Sequence, residues 1–221
     1  MKRLWSYLLF LPLLISCGEM PKITYEQALE HLDKIETKYK DLNNVERDFE
    51  MQETKRDNGN VISTYTYAYD CESKIHYSVS KIGNKTYITY SYFEAHGDNF
   101  DLISLINDGA NKIKHRKPAT GLVGEEYFKA QFQTEIQSYI NLTKSAFDLA
   151  KKDGTYRARH DDDLHFSFAN QEDSYRIEIN RGRFTRYYHR TIDNSHRMEQ
   201  TNTFSYERFA VSVNPDEYIE Q

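Results

Sequence analysis

The stretch His160-Asp161-Asp162-Asp163-Leu164-His165 contains the side chains best suited to holding a metal ion. Imidazole and carboxylate groups are the usual protein ligands of zinc and iron. Three consecutive aspartates point in different directions, however, and on a strand His165 would face solvent, opposite Leu164. A solvated hairpin turn is the alternative interpretation, and we predict no metal ligand here. The sequence also contains no Gly-x-Ser-x-Gly, His-Glu-x-x-His or phosphate-loop motif, so we predict no catalytic residue and no cofactor.

A band of arginines near the C-terminal end is a second source of chemistry. It comprises Arg176, Arg181, Arg183, Arg186, Arg190 and Arg197. Strict alternation places Phe184, Arg186, Tyr188 and Arg190 on one face of a strand. Guanidinium groups beside aromatic rings suit the binding of headgroups, polyanions or protein partners; a solvated sheet face is the alternative. The candidate interaction residues are Arg176, Arg183, Arg186 and Arg190.

Tyrosines recur at every second position in one segment: Tyr65, Tyr67 and Tyr69, with Tyr87 following in a later segment. A tyrosine offers apolar area with a polar tip. These four residues therefore form a candidate ligand groove, and ordinary packing between strands is the alternative. Tyr90 and Tyr92 lie near Tyr87 in the sequence.

The cysteine at position 17 ends an apolar run that follows Lys2 and Arg3. The run is shorter than the about 20 apolar residues that a membrane-spanning helix needs, which favours a secretory signal. Leu14-Ile15-Ser16-Cys17 resembles the bacterial lipobox. The resemblance implies cleavage between Ser16 and Cys17, with a diacylglycerol thioether on Cys17. An ordinary secretory signal with a coincidental cysteine is the alternative.

Composition limits the remaining classes of function. The formal net charge of −5 gives no general attraction to nucleic acid, so no nucleic-acid partner is expected. The 18 tyrosines and 12 phenylalanines argue against extended disorder. If Cys17 carries lipid, Cys71 has no partner for a disulfide, and its flanking acids favour an inert thiol.

The elements that must position these residues begin with a helix. Thr24 and Gln27 fit a capping box, and apolar residues recur at helical spacing as far as Leu42, so the helix should end near 43–44. Alternating segments then predict a meander of about four strands, with turns at 57–60 and 83–84. Ile103, Ile106, Ala110 and Ile113 form a stripe that predicts a second helical stretch.

The longest predicted helix runs from about Gly124 to Lys152. Strands follow at 164–168, 175–179, 184–192 and 203–213, with a hairpin turn at 180–183. Period-two patterning predicts antiparallel strands with one buried face, which the amphipathic helices must cover. The predicted fold is α+β, with a curved antiparallel sheet or incomplete β-barrel covered by amphipathic helices.

The order of signal, helix, strand meander, helical insert and second meander resembles the bacterial lipid-carrier fold of the LolA and LppX/LprG type. The ending Phe204-Ser205-Tyr206…Asn214-Pro215-Asp216 is similar to the last strand of such proteins. The resemblance covers Thr24 to about Pro215 and implies an apolar cavity between an unclosed barrel and its helices. It assigns no individual site residue. The tyrosine-rich inner face is more polar than a pure acyl cavity.

Three regions and a ranked set of functions follow. Residues 1–16 are predicted as a lipoprotein signal peptide, 17–23 as the lipidated cysteine and short tether, and 24–221 as one α+β domain. The first hypothesis is a non-enzymatic binding or carrier module, lipid-anchored to the bacterial envelope outside the cytoplasm, for an apolar or amphipathic ligand such as a lipid. The second is a module that binds an envelope protein through the arginine band. The third is a metal-dependent hydrolase built on 160–165.

Overall fold

The computed structural model of the chain describes residues 22–153, 158–160, 163–193 and 195–220. The predicted signal segment, with Ser16 and Cys17, lies outside these residues. The helices are α1 (Tyr25–Tyr39) and α2 (Gly124–Lys152), and short 3₁₀ turns occur at Leu42–Asn44 and Pro215–Glu217. The strands are β1 (Lys22–Ile23), β2 (Phe49–Asp57), β3 (Asn60–Asp70), β4 (Ile75–Ile82), β5 (Lys85–His96), β6 (Asn99–Asn107), β7 (Lys112–Pro118), β8 (Ala158–His160), β9 (Asp163–Ala169), β10 (Asp173–Asn180), β11 (Arg183–Asp193), β12 (His196–Ser205) and β13 (Ile219–Glu220).

All of these strands belong to one curved, unclosed sheet. Their order across the sheet is β1-β8-β9-β10-β11-β12-β2-β3-β4-β5-β6-β7-β13. Neighbouring strands are antiparallel except β7 and β13. The two meanders therefore meet in the middle of the sheet, where β2 pairs with β3 on one side and with β12 on the other. The predicted α+β class and curved sheet under helices are confirmed.

Both helices pack on one face of the sheet, which we call the helix face. The stripe Ala28, Leu32, Ile35 and Tyr39 of α1 is buried, as is the longer stripe of α2. The core joins them to side chains of β2, β3 and β9 to β12. At its centre the rings of Phe49 and Phe132 stack 4.1 Å apart between centroids. Burial of these aromatic rings is the main source of stability expected for the domain.

The start of α1 has the predicted capping box. The Gln27 amide donates to the Thr24 hydroxyl at 3.2 Å, and the Thr24 amide donates to the Gln27 side chain at 2.8 Å. Replacing Thr24→Ala should lower the free energy of unfolding by about 1 kcal/mol, because the Gln27 amide loses its acceptor. Urea denaturation measures this loss. Thr24→Ser retains the hydroxyl and should stay within a few tenths of a kcal/mol of the parent; an equal loss in both variants would contradict the capping role.

The opposite face of the sheet, which we call the outer face, has a smaller apolar cluster of its own. Ile103 and Leu105 on β6 are fully buried, yet they point away from the helices. The C-terminal segment covers this region: the Val211 amide donates to Asp70 at 3.1 Å, and β13 pairs alongside β7. Strands β3 and β6 are therefore buried in part on both faces.

This two-sided burial explains why the predicted helical stretch around 103–113 is wrong. Ile103 faces outward and Ile106 faces the helices, so their three-residue spacing reflects two sheet faces rather than one helix face. The chain turns at Asp108, whose carboxylate accepts from the Ala110 and Asn111 amides at 2.9 and 2.7 Å. The stretch forms β6, this turn and β7.

Two predicted boundaries also differ. Helix α1 ends at Tyr39, because Asp41 starts a separate 3₁₀ turn by accepting from the Asn43 amide at 2.9 Å. The strand predicted at 203–213 is instead β12, which ends at Ser205, where its pairing with β2 ends at Glu50. Beyond Ser205 the chain leaves the sheet: the Tyr206 ring still packs against the core, and by Val211 the chain has reached the outer face.

Candidate functional site

The four predicted groove tyrosines all lie on the helix face, but at two different depths. Tyr69 is fully buried, with its ring 5.0 Å from that of Phe128. Tyr67 is also buried, and its hydroxyl donates to Gln131 on α2 at 3.2 Å. These two residues belong to the core beneath α2. Tyr65 is half-buried and Tyr87 is 38% exposed, so only they face solvent.

Strand register joins Tyr65 and Tyr87 into a continuous row. Glu53 lies directly across from Tyr65, Tyr65 from Ser80, and Ser80 from Tyr87. Residues paired in this way project from the same side of a sheet. We call these four residues the open strip. It is the candidate ligand surface, and it runs across β2 to β5 beside α2.

Two carboxylates give the open strip an acidic character. Glu53 accepts from Gln200 at 2.9 Å and pairs with Lys55 at 3.1 Å. Glu135 projects from α2, and its pKa is raised by partial burial and by the nearby Glu53 carboxylate. Burial first, and then Glu135 and Glu53, raise the pKa of Tyr65. The Tyr65 ring therefore lies within the field of two carboxylates from different elements.

The same face of the sheet carries further polar side chains on β12, β11 and β10. Gln200 lies opposite His189, and His189 lies opposite Tyr175. The His189 and Tyr175 rings stack 4.2 Å apart, and His189 Nε2 is 2.9 Å from Asp173. This hydrogen bond orients the imidazole on the helix face without burying it.

Sequence reasoning did not identify Glu53, Glu135 or the His189–Asp173 pair. Alternation contained part of the signal, because Glu53 is two residues from the buried Met51 and so shares its face. The i, i+4 spacing of Gln131 and Glu135 likewise places both on one flank of α2. No local pattern indicates that this flank meets β2 and β3.

The structure places the arginines of the predicted band on two different sides of the sheet. A β-bulge at Thr185 lets Phe184 and Tyr187 both face the helices, so Phe184 does not share a face with Arg186 as strict alternation predicted. Arg176, Arg186 and Arg190 lie on the outer face around Tyr188. Arg183 instead lies on the helix side, with its Nε 2.8 Å from Glu46 and its guanidinium over the Tyr206 ring.

The 160–165 stretch is only partly described, because Asp161 and Asp162 lie outside the described residues. His165 occupies the face opposite the buried Leu164, as predicted. Within the described ranges, no group of three histidines, cysteines or acids is placed to hold a metal ion. Burial, with a hydrogen bond to Asp48, raises the pKa of the Cys71 thiol, which suits the predicted inert role.

No helix in the described part of the chain is long and apolar enough to cross a membrane. Comparison with protein-family models and with curated proteins finds no match to this chain.

Proposed function

We propose that the chain is a membrane-anchored bacterial lipoprotein whose domain binds an amphipathic ligand on the open strip, without catalysing a reaction. The lipobox-like ending at Cys17 supports the anchor. The observation that carries the binding role is Tyr65: its ring is half-buried on the helix face, directly across from Glu53, and the Glu53 and Glu135 carboxylates both raise its pKa. Such a ring offers apolar contact and a polar edge together.

The position of the open strip changes where the ligand of the predicted carrier would bind. The space between α2 and the sheet contains stacked rings such as Phe49 and Phe132. Close packing of this kind leaves little room for an acyl chain. The ligand is therefore proposed to lie beside α2, on the part of the helix face formed by β2 to β5. The curved, unclosed sheet supports an incomplete barrel as the framework.

The chemistry of the strip favours one class of polar group. Carboxylates attract ammonium groups and accept hydrogen bonds from hydroxyl groups, and tyrosine rings add cation–π attraction. An amphiphile with a cationic or hydroxyl-rich end fits better than a fatty acid, whose carboxylate would meet Glu53 and Glu135. The apolar part of the ligand would contact the exposed faces of Tyr65 and Tyr87.

Titration with a dansyl-labelled alkylamine and a dansyl-labelled fatty acid tests this preference. We expect the alkylamine to bind more tightly, and the double variant Tyr65→Ala, Tyr87→Ala to weaken it about tenfold, because both aromatic contacts are lost. Fluorescence enhancement on the full chain in mild detergent measures both affinities. Native mass spectrometry of chain purified from bacteria should also show an extractable small molecule.

Tyr188→Ala is the matched control, because it removes a half-buried tyrosine from the outer face. Its affinity for the alkylamine should equal that of the parent. Equal binding by the double variant and the parent would contradict the proposal, as would tighter binding of the fatty acid. The anchor is tested separately: Cys17→Ala should abolish the lipid-sized mass addition on the mature chain.

A further inference from the structure

The outer face of β10 and β11 carries a compact positive patch. Tyr188 lies directly opposite Arg176 on β10, and Arg186 and Arg190 lie two residues to either side of it along β11. All four side chains point away from the helices, because Ile177 and Tyr187 between them are buried against the core. We call Arg176, Arg186, Tyr188 and Arg190 the arginine face.

The protein itself neutralises this patch only weakly. Arg186 approaches Glu178 at 3.9 Å, and both side chains are about 40% exposed, which makes this a weak ion pair. Glu199 lies opposite Arg190 but forms an ion pair with Arg197. The Nε atoms of Arg186 and Arg190 are buried and have no hydrogen-bond partner among the described residues, so no acidic side chain neutralises them there. The arginine face therefore keeps unused positive charge in a chain of net charge −5.

The sheet order places this patch near the point where the chain enters the domain. Strand β1 is followed across the sheet by β8, β9, β10 and β11, so β11 lies about 19 Å from β1 at the usual strand spacing. Residues 18–21 add a reach of roughly 14 Å when extended. A lipid on Cys17 would hold the arginine face within reach of the membrane surface.

We infer that the arginine face docks on anionic phospholipid headgroups and sets the orientation of the domain on the membrane. Arginine binds phosphate through a planar fork of donors, and tyrosine partitions to the headgroup region. Docking by this face would leave the open strip, on the opposite side of the sheet, turned away from the bilayer. The inference rests on the anchor of the proposed function, but not on the ligand of the open strip.

The charge balance favours a membrane over a freely diffusing polyanion or acidic protein. A chain of net charge −5 repels polyanions at long range, so three arginines would not capture one from solution. A tether removes this obstacle, because it keeps the domain at a high effective concentration beside the lipid surface. Three basic groups are then sufficient to hold one face against it.

Vesicle flotation of the full chain carrying Cys17→Ala tests the inference without the lipid anchor, with the apolar N-terminal run serving as the tether. Binding is compared between phosphatidylcholine vesicles and vesicles that also contain phosphatidylglycerol. The neutral vesicles measure insertion by the apolar N-terminal run, so the ratio reports the charge-dependent part. We expect a preference for the anionic vesicles, reduced at least about tenfold by the triple variant Arg176→Ser, Arg186→Ser, Arg190→Ser.

The matched control is Lys81→Ser, Lys85→Ser, Lys117→Ser, which removes the same charge from exposed positions on β4, β5 and β7. It should keep most of the preference. An equal loss in both triple variants would overturn the inference. A parent chain that binds neutral and anionic vesicles equally would also overturn it, and an acidic protein would then be the next partner to test. If the arginine variant does not fold, molar salt should abolish the preference of the parent; a preference that survives molar salt overturns the inference.

The same assay separates this inference from the proposed ligand site. Tyr65→Ala should leave the anionic preference unchanged, because Tyr65 lies on the opposite face of the sheet. If alkylamine binding fails while the preference remains, only the open strip is refuted. If the preference fails while alkylamine binding remains, only the arginine face is refuted.

Discussion

Replacing Phe132→Ala should lower the free energy of unfolding by about 3–5 kcal/mol. Phe132 is fully buried on α2, stacks on Phe49 at 4.1 Å and meets the Tyr206 ring edge-on at 6.2 Å. Its removal leaves a cavity between α2, β2 and the start of the C-terminal segment, and the surrounding rings cannot close it. Because typical domains are stable by only 5–15 kcal/mol, this one change should bring the protein near its unfolding threshold. Urea or guanidinium denaturation, followed by circular dichroism, measures the loss.

Leu142→Ala provides the comparison on the same helix. Leu142 is 43% exposed, and alanine is the better helix former, so the stability should change by no more than about 0.5 kcal/mol. A loss below about 1 kcal/mol for Phe132→Ala would show that α2 does not hold the core as described. Phe132→Leu, which refills much of the space, should recover most of the stability.

Acidification should destabilise the protein through His76. Burial lowers the pKa of this imidazole from 6.5 to about 4, and its ring is packed between Tyr67 and Phe128. The folded state holds His76 neutral, whereas the unfolded chain accepts a proton below pH 6.5. The stability contributed by the neutral group is thus fully present above pH 6.5 and lost as pH falls towards 4. At pH 4.5 the expected loss is roughly 2.5 kcal/mol relative to pH 7.5.

The variant His76→Phe isolates this contribution from the titrating carboxylates. His76 Nε2 makes no hydrogen bond to the described residues, so a phenyl ring can replace the imidazole among its aromatic neighbours. Denaturation at several pH values should show a shallower loss of stability in the variant between pH 6.5 and 4. His96→Phe, at an exposed strand end, should keep the slope of the parent. Identical slopes in the parent and His76→Phe would refute the assignment.

Much of the fold is predictable because its signals are local. The capping box at Thr24 lies within four residues, and the bounds of α2 follow from its apolar spacing and from the charges at its two ends. Hairpin turns at 57–60 and 180–183 follow from residue types that tolerate positive φ, such as Asn58 and Gly182. Each of these features is decided by neighbours in the chain.

The features that sequence reasoning missed depend on distant residues. Ile103 is buried on the outer face, on the same side of the sheet as the distant C-terminal segment. The bulge at Thr185 places Phe184 and Arg186 on opposite faces of the sheet, and a threonine at this position does not predict a bulge. Glu53 and Glu135 influence each other because α2 packs on the face of β2 that carries Glu53. Periodicity reports how much of a segment is buried, but it does not report which distant segment buries it.

The pairing of β2 with β12 has a consequence for folding during synthesis. β2 can pair with β3 through a short turn as soon as both have been synthesised, but its other edge waits for β12, with Glu50 finally pairing with Ser205. Until then a central strand presents unpaired backbone groups, the feature through which nascent chains aggregate. Such distant pairing also slows folding. On the nascent chain, this edge of β2 therefore remains unpaired until β12 has been synthesised.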